Sequence, residues 1–159
     1  MADYIAYMFQ WIHVLFAIYL IGGGLFFEFF AKPSISTLPP QQAGSVIMNI
    51  SKKFTIFVHI AWLVLIFTGL FRAFVIDGYD LLSFVTLPDL ILKAKITVVV
   101  IAYAISIYMT KLGLDMGKAD PQTFPVIAKR ISTASRLLAV AGVFIVLFAV
   151  ALSNLGLIE

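Results

Sequence analysis

The chain contains no cysteine among its 159 residues. That excludes thiolate metal sites, iron–sulfur clusters, covalently attached haem and disulfides. Charge is scarce as well: only 12% of the residues are Asp, Glu, Lys or Arg, against about 25% in soluble domains. The acidic residues form no cluster along the chain, and histidine is limited to His13 and His59. What the sequence has in abundance is apolar side chains, 62% of the total.

Four apolar runs, residues 4–31, 54–76, 90–112 and 131–156, carry nearly all of the length. Each exceeds the roughly 20 helical residues that cross a hydrocarbon core. The expected fold is therefore all-α: one integral membrane domain over residues 1–159, with an up-down-up-down four-helix bundle favoured by short connections. The first run has no basic leading segment, is long, and contains His13 and Glu28, so it is expected to stay in the mature protein.

Proline and glycine mark the breaks between runs. These are Lys32-Pro33-Ser34 through Pro39-Pro40-Gln41-Gln42, then Asp77-Gly78-Tyr79-Asp80, then Gly117-Lys118-Ala119-Asp120-Pro121. In the longest connection, Ala43 to Ile50 reads either as an amphipathic segment on the membrane surface or as an extension of the second span. Ser51-Lys52-Lys53 then marks the lipid boundary. At the end of the first span, Lys32 stands one helical turn after Glu28, in position to pair with it.

Basic residues report orientation. Eight of the eleven, Lys32, Lys52, Lys53, Lys111, Lys118, Lys129, Arg130 and Arg136, flank the first and third connections. Arg72, Lys93 and Lys95 lie on the other side, with the Asp77–Asp80–Asp89 connection. The bias predicts cytoplasmic first and third connections and both termini outside. Basic residues placed for topology make nucleic acid a poor partner, and the partner expected first is the lipid bilayer.

Polar residues inside the spans fall at helical spacing. The first span gives Gln10, His13, Ala17, Ile21, Gly24 and Glu28; the second His59, Trp62, Ile66, Gly69 and Ala73; the third Lys95, Val98, Ala102, Ser106 and Thr110. In lipid such stripes must face protein. Small residues beside polar ones, Gly22-Gly23-Gly24 included, suit a slot for a flat ligand and suit close helix packing equally.

Intramembrane histidines without cysteine or an acidic cluster suit haem b held by imidazole nitrogen. Quinone binding, proton transfer and plain helix-to-helix hydrogen bonding use the same residues. His13 and His59 lie before the midpoints of antiparallel spans, displaced roughly 7 Å and 9 Å towards opposite surfaces at 1.5 Å per residue. Two sites are expected rather than one iron between both histidines. His13 shares its level with Lys95, and His59 with Met109 and, loosely, Arg136. The candidate metal ligands are His13 and His59, and the candidate cofactor-binding residues add Met109 and Arg136.

The stretch Ile12-His13-Val14-Leu15-Phe16-Ala17, running on to Gly23-Gly24-Leu25-Phe26-Phe27, resembles the first helix of the membrane protoporphyrinogen oxidase family and of the copper-resistance protein D family. Leu92-Lys93-Ala94-Lys95-Ile96 is similar to the oxidase family's Leu-His-Ala-Lys-Leu, and Thr68-Gly69-Leu70 to the Thr-Gly-Leu of the copper-resistance branch. The resemblance implies a four-helix membrane fold in a bacterial or archaeal cytoplasmic membrane, haem b at His13, and Lys95 as the oxidase family's essential lysine, the candidate catalytic residue here. Lys93 stands where the oxidase has its second motif histidine, the first connection lacks that family's Tyr-His ending, and His59 has no counterpart in the pattern.

The leading expectation is a membrane protein that binds one or two haem b groups and passes electrons to or from quinone or a redox partner. A larger redox complex or a homo-oligomer would be its setting. The alternatives are a protoporphyrinogen oxidase-like enzyme, a copper-handling protein and a haem-free structural subunit. Copper handling is weakened by scattered methionines, since soft Cu(I) sites want thioether or thiolate groupings.

Overall fold

A computed structural model describes residues 2–76, 78, 86–116, 120 and 122–155. Asp77, Tyr79, Asp80, Gly117, Lys118, Ala119 and Pro121, assigned above to connections, lie outside the described residues. Those described are helical apart from short turns, in the order α1 (Ala2–Phe26), a π-helical segment (Phe27–Ala31), α2 (Lys32–Ser36), α3 (Pro40–Phe71), a second π-helical segment (Arg72–Ile76), α4 (Leu87–Met116) and α5 (Phe124–Asn154). Four stretches are long and apolar enough to cross a membrane: Tyr4–Ser36, Ser45–Ile76, Leu87–Met116 and Phe124–Asn154. At about 1.5 Å per residue they exceed a hydrocarbon core of about 30 Å. Large apolar side chains such as Trp11, Ile18, Leu63, Phe67, Val100 and Leu147 stand exposed along them, as lipid contact requires and water would not tolerate.

Helices continue further into the first connection than proline placement suggests. Pro33 lies inside α2, directly after the first π-helical segment. Pro33 lacks an N–H; on either side of it the Lys32 N–H donates to the Phe27 carbonyl, five residues back, and the Ser34 hydroxyl donates to the Phe30 carbonyl at 2.7 Å. The helix ends a turn later, where the Ser36 and Thr37 hydroxyls donate to the Pro33 and Ser34 carbonyls. Pro39, at φ −53° and ψ 141°, is the N-cap of α3. Ala43 to Ile50 belong to this helix, so the extension of the second span is the reading that holds. Glu28 and Lys32 pair at 2.7 Å, as their spacing predicts.

The chain forms two compact units, Met1–Tyr79 and Asp80–Glu159. In the first, α1 packs against α3. Phe9 stacks on Phe71 at a centroid distance of 4.3 Å, Phe16 and Tyr19 meet Phe57 at 6.3 and 4.6 Å, and Phe27 meets Phe54 at 6.2 Å. Numbers rise along α1 as they fall along α3, so the pair is antiparallel. Phe54, Phe57, Ala61 and Thr68 recur at three, four and seven residues, the seam of one helix face. Ala61 at its centre is fully buried.

In the second unit α4 packs against α5. The buried positions are Ala102, Ser106 and Leu112 on α4 and Ala134, Gly142 and Leu152 on α5. Small residues dominate because apolar surface gives helices no reason to associate in lipid, and close backbone approach does. Thr86 caps α4 reciprocally with Asp89: the Thr86 N–H donates to Asp89 Oδ2 at 3.0 Å, and the Asp89 N–H to Thr86 Oγ1 at 3.4 Å. Before α5, Asp120 Oδ1 accepts the N–H groups of Thr123 and Gln122 and the Thr123 hydroxyl. Those bonds, the Thr123 N–H foremost, hold its carboxyl below the ordinary carboxylate range.

The hairpin register makes a testable distinction among the three adjacent glycines. A Cβ at Gly23 would lie 3.3 Å from Phe54 Cε2, whereas one at Gly22 or Gly24 meets nothing within 4 Å. Gly23→Leu is expected to lower stability in detergent by about 1–3 kcal/mol through overpacking, with Gly22→Ala and Gly24→Ala near wild type. Equal melting temperatures for all three variants would contradict the register.

Candidate functional site

Towards the α1 N-terminus and the α3 C-terminus, four polar side chains of the first unit meet. His13 Nδ1 lies 2.7 Å from Thr68 Oγ1. Thr68 Oγ1 in turn lies 2.7 Å from the carbonyl oxygen of Val64, with Leu65 O further off at 3.3 Å. A threonine hydroxyl has one proton. Back-bonding to the helix carbonyl uses it, so the oxygen accepts from a protonated His13 Nδ1. In that tautomer the imidazole lone pair falls on Nε2, the opposite ring nitrogen. Thr68 is 4% exposed, and a hydroxyl so buried in a membrane span must find partners.

Gly69 makes the approach possible. A Cβ there would sit 3.2 Å from His13 Cε1 and 3.7 Å from Nδ1, so the imidazole packs directly on the α3 backbone. The small residue serves the histidine itself.

One turn nearer the helix ends, Arg72 Nη1 donates to Gln10 Oε1. Gln10 precedes His13 by three residues and Arg72 follows Gly69 by three, so both pairs share the seam. Arg72 opens the second π-helical segment, and its backbone N–H is shared between the carbonyls of Gly69 and Thr68. Beside this pair, Tyr7, Gln10, Trp11 and Val14 line an open hollow of about 320 Å³. Gln10 is its polar wall.

The other residues singled out from the sequence lie elsewhere. His59 is half-buried on α3, nine residues before Thr68, hence roughly 13 Å along the helix and about half a turn round it. The structure does not bring it to His13. In the second unit Lys95 and Met109 are both half-buried on α4, roughly 21 Å apart along its axis, and Arg136 is exposed on α5. The stripe Lys95, Val98, Ala102, Ser106 and Thr110 is the more buried face of α4. Thr110 Oγ1 donates to the Ser106 carbonyl at 3.1 Å, the same back-bonding as at Thr68. Among the described residues no group of three or more His, Cys, Asp or Glu side chains is placed to hold a metal ion.

The sequence puts His13, Gln10 and Gly69 on polar stripes but gives Thr68 a place only in the Thr68-Gly69-Leu70 resemblance and Arg72 only a place among the basic residues of the outer side. The signal in the sequence was Thr68-Gly69 itself, a hydroxyl beside a missing side chain, three residues ahead of an arginine. Comparisons with known protein families, with curated proteins and with solved structures find no match.

If Thr68 satisfies the imidazole, its oxygen matters and its methyl does not. Thr68→Val is expected to cost about 1–3 kcal/mol, the penalty for leaving a buried donor unsatisfied, while Thr68→Ser stays near wild type. Thermal unfolding in detergent checks this. Equal loss in both variants would mean that packing alone holds the histidine.

Proposed function

We propose that the chain is a haem b-binding integral membrane protein that passes electrons to or from quinone or a redox partner, with His13 as an iron ligand. The observation that carries this reading is the His13–Thr68 pair packed on Gly69. An imidazole used as a ligand needs one nitrogen fixed as a donor so that the other presents its lone pair, and Thr68 supplies that fixing. Haem is the fitting group because the described residues hold no group of three or more His, Cys, Asp or Glu side chains placed for a bare metal ion, whereas a porphyrin brings its own four nitrogens. When bound, haem supplies one-electron chemistry. The protein's own residues orient the ligand nitrogen, exclude water by burying Thr68, Ala61 and Trp62, and keep the site inside an apolar span.

The same reading carries the up-down-up-down bundle that short connections favour, and the outward termini that the basic residues favour. Lys95 and the pair His59 and Met109 remain proposals for further contacts, and a second haem at His59 belongs with them. Protoporphyrinogen oxidation, with Lys95 steering substrate carboxylates, is the alternative; rescue of a strain lacking its own oxidase would favour it over electron transfer.

Purified protein is expected to show a reduced b-type α band in dithionite, with pyridine haemochrome giving at least one haem per chain. His13→Ala should lose it or at least one haem equivalent. A colourless protein that takes up no added haem, or full haem content in His13→Ala, would overturn the assignment.

A further inference from the structure

We infer that the N-terminal part of α5 binds an anionic phospholipid, with Lys129, Arg130 and Arg136 taking the headgroup phosphate and the exposed apolar row beyond them taking the acyl chains. This needs only that α5 crosses the bilayer, and it stands apart from the haem reading.

Charge without a counterpart is the first support. Between Asp120 and Glu159 the sequence contains no acidic residue, so none of the three cations has a carboxylate on its own helix. Asp120, the nearest in sequence, is already engaged: its Oδ1 accepts the N–H groups of Thr123 and Gln122 and the Thr123 hydroxyl. No carboxylate among the described residues pairs with Lys129, Arg130 or Arg136, and all three side chains are exposed. Neighbouring cations of this kind attract the anionic headgroups of a membrane surface.

The second support is the helix face. Lys129, Thr133 and Arg136 recur at four and three residues, so they share one side of α5, with Arg130 on its flank. Thr133 gives its hydroxyl proton to the Lys129 carbonyl at 3.1 Å, which leaves the cations as the donors. At the same spacing the face continues through Val140, Phe144 and Leu147, all exposed. One outward face is thus basic at one end and apolar along the rest, the distribution that an anionic lipid matches.

Depth is the third. From Leu137 to Asn154 α5 carries no charge, roughly 27 Å of helix, close to the thickness of a hydrocarbon core. Arg136 therefore stands at the hydrocarbon edge, and Lys129 roughly 10 Å further out, among headgroups. A guanidinium at that edge meets phosphate oxygens with a fork of donors. Phosphatidylcholine offers the same oxygens, but its choline cancels the charge and is repelled by Lys129 and Arg130, so the face selects a lipid of net negative charge.

The test uses the full-length chain in neutral detergent, titrated with phosphatidylglycerol or with phosphatidylcholine of the same acyl chains, with bound lipids counted by native mass spectrometry. Wild type is expected to bind its first phosphatidylglycerol about tenfold more tightly than its first phosphatidylcholine. In Lys129→Gln/Arg136→Gln the two affinities should come within about twofold, with phosphatidylcholine bound as in wild type, which also reports a folded variant. Lys52→Gln/Lys53→Gln removes as many charges from α3 and should keep the wild-type preference.

A preference retained in Lys129→Gln/Arg136→Gln overturns the site. So does a preference lowered equally in both double variants, because net charge alone would then explain it. No preference in wild type overturns it as well and leaves the cations to an acidic protein segment. Glycerophosphoglycerol, the headgroup without chains, should not displace the lipid at equal concentration. Equal displacement would show that the apolar row holds nothing and would overturn the lipid in favour of a free phosphate ester.

Discussion

The hydrogen bond between His13 and Thr68 satisfies two polar side chains where water is excluded, and the roles of its neighbours derive from that need. For the bond to form at 2.7 Å, α1 and α3 must be antiparallel and in one register. The aromatic contacts on either side, Phe9 with Phe71 and Tyr19 with Phe57, hold that register without polar groups. Thr68 must also be free to accept, which it is because its proton goes to the Val64 carbonyl. Glycine at position 69 lets the imidazole approach, because a Cβ there would lie only 3.2 Å from His13 Cε1 and the ring would have to shift. A histidine held in this way has one orientation, and with the Thr68 proton on the Val64 carbonyl it would have one tautomer, the two properties an imidazole ligand needs before any metal arrives.

The same need for satisfied polar groups governs the helix ends. Both π-helical segments sit where a span meets a polar group: Phe27–Ala31 beside the Glu28–Lys32 ion pair and ahead of Pro33, and Arg72–Ile76 beginning at the arginine that reaches Gln10. A π turn rotates the residues C-terminal to it about the helix axis and relaxes backbone bonding locally. At the first segment that relaxation carries the helix through proline, with Ser34 covering a carbonyl.

Periodicity and composition were enough to locate four spans, because continuous apolar runs of more than about 20 residues fit a membrane-crossing helix and not the alternating strands of a barrel. The Glu28–Lys32 pair was equally legible, since residues four apart on one helix are neighbours whatever the rest of the chain does. The partner of His13 was not. α3 carries two adjacent inner stripes, one through Phe57, Ala61 and Thr68 and one through His59, Trp62, Ile66 and Gly69, both apolar enough to be buried, and at the end of the second Gly69 meets His13 beside Thr68. Which of their residues meet α1 depends on packing between segments more than 50 residues apart in sequence, and no local pattern encodes it. Pro33 misled in the opposite direction: its missing donor is a local fact, but the hydroxyl and π-turn remedies appear only in three dimensions.

The most direct test of the central claim is the protonation of the His13 ring, read by solid-state NMR of ¹⁵N-histidine-labelled chain without added haem. A His59→Asn background leaves His13 as the one histidine to assign. The expected result is a neutral ring protonated at Nδ1, with Nε2 bare and the Nδ1 signal displaced when Thr68 is replaced by valine. A proton on Nε2 with Nδ1 bare would make Thr68 the donor and His13 the acceptor, and the histidine would then be a helix-packing group whose remaining nitrogen offers iron no lone pair.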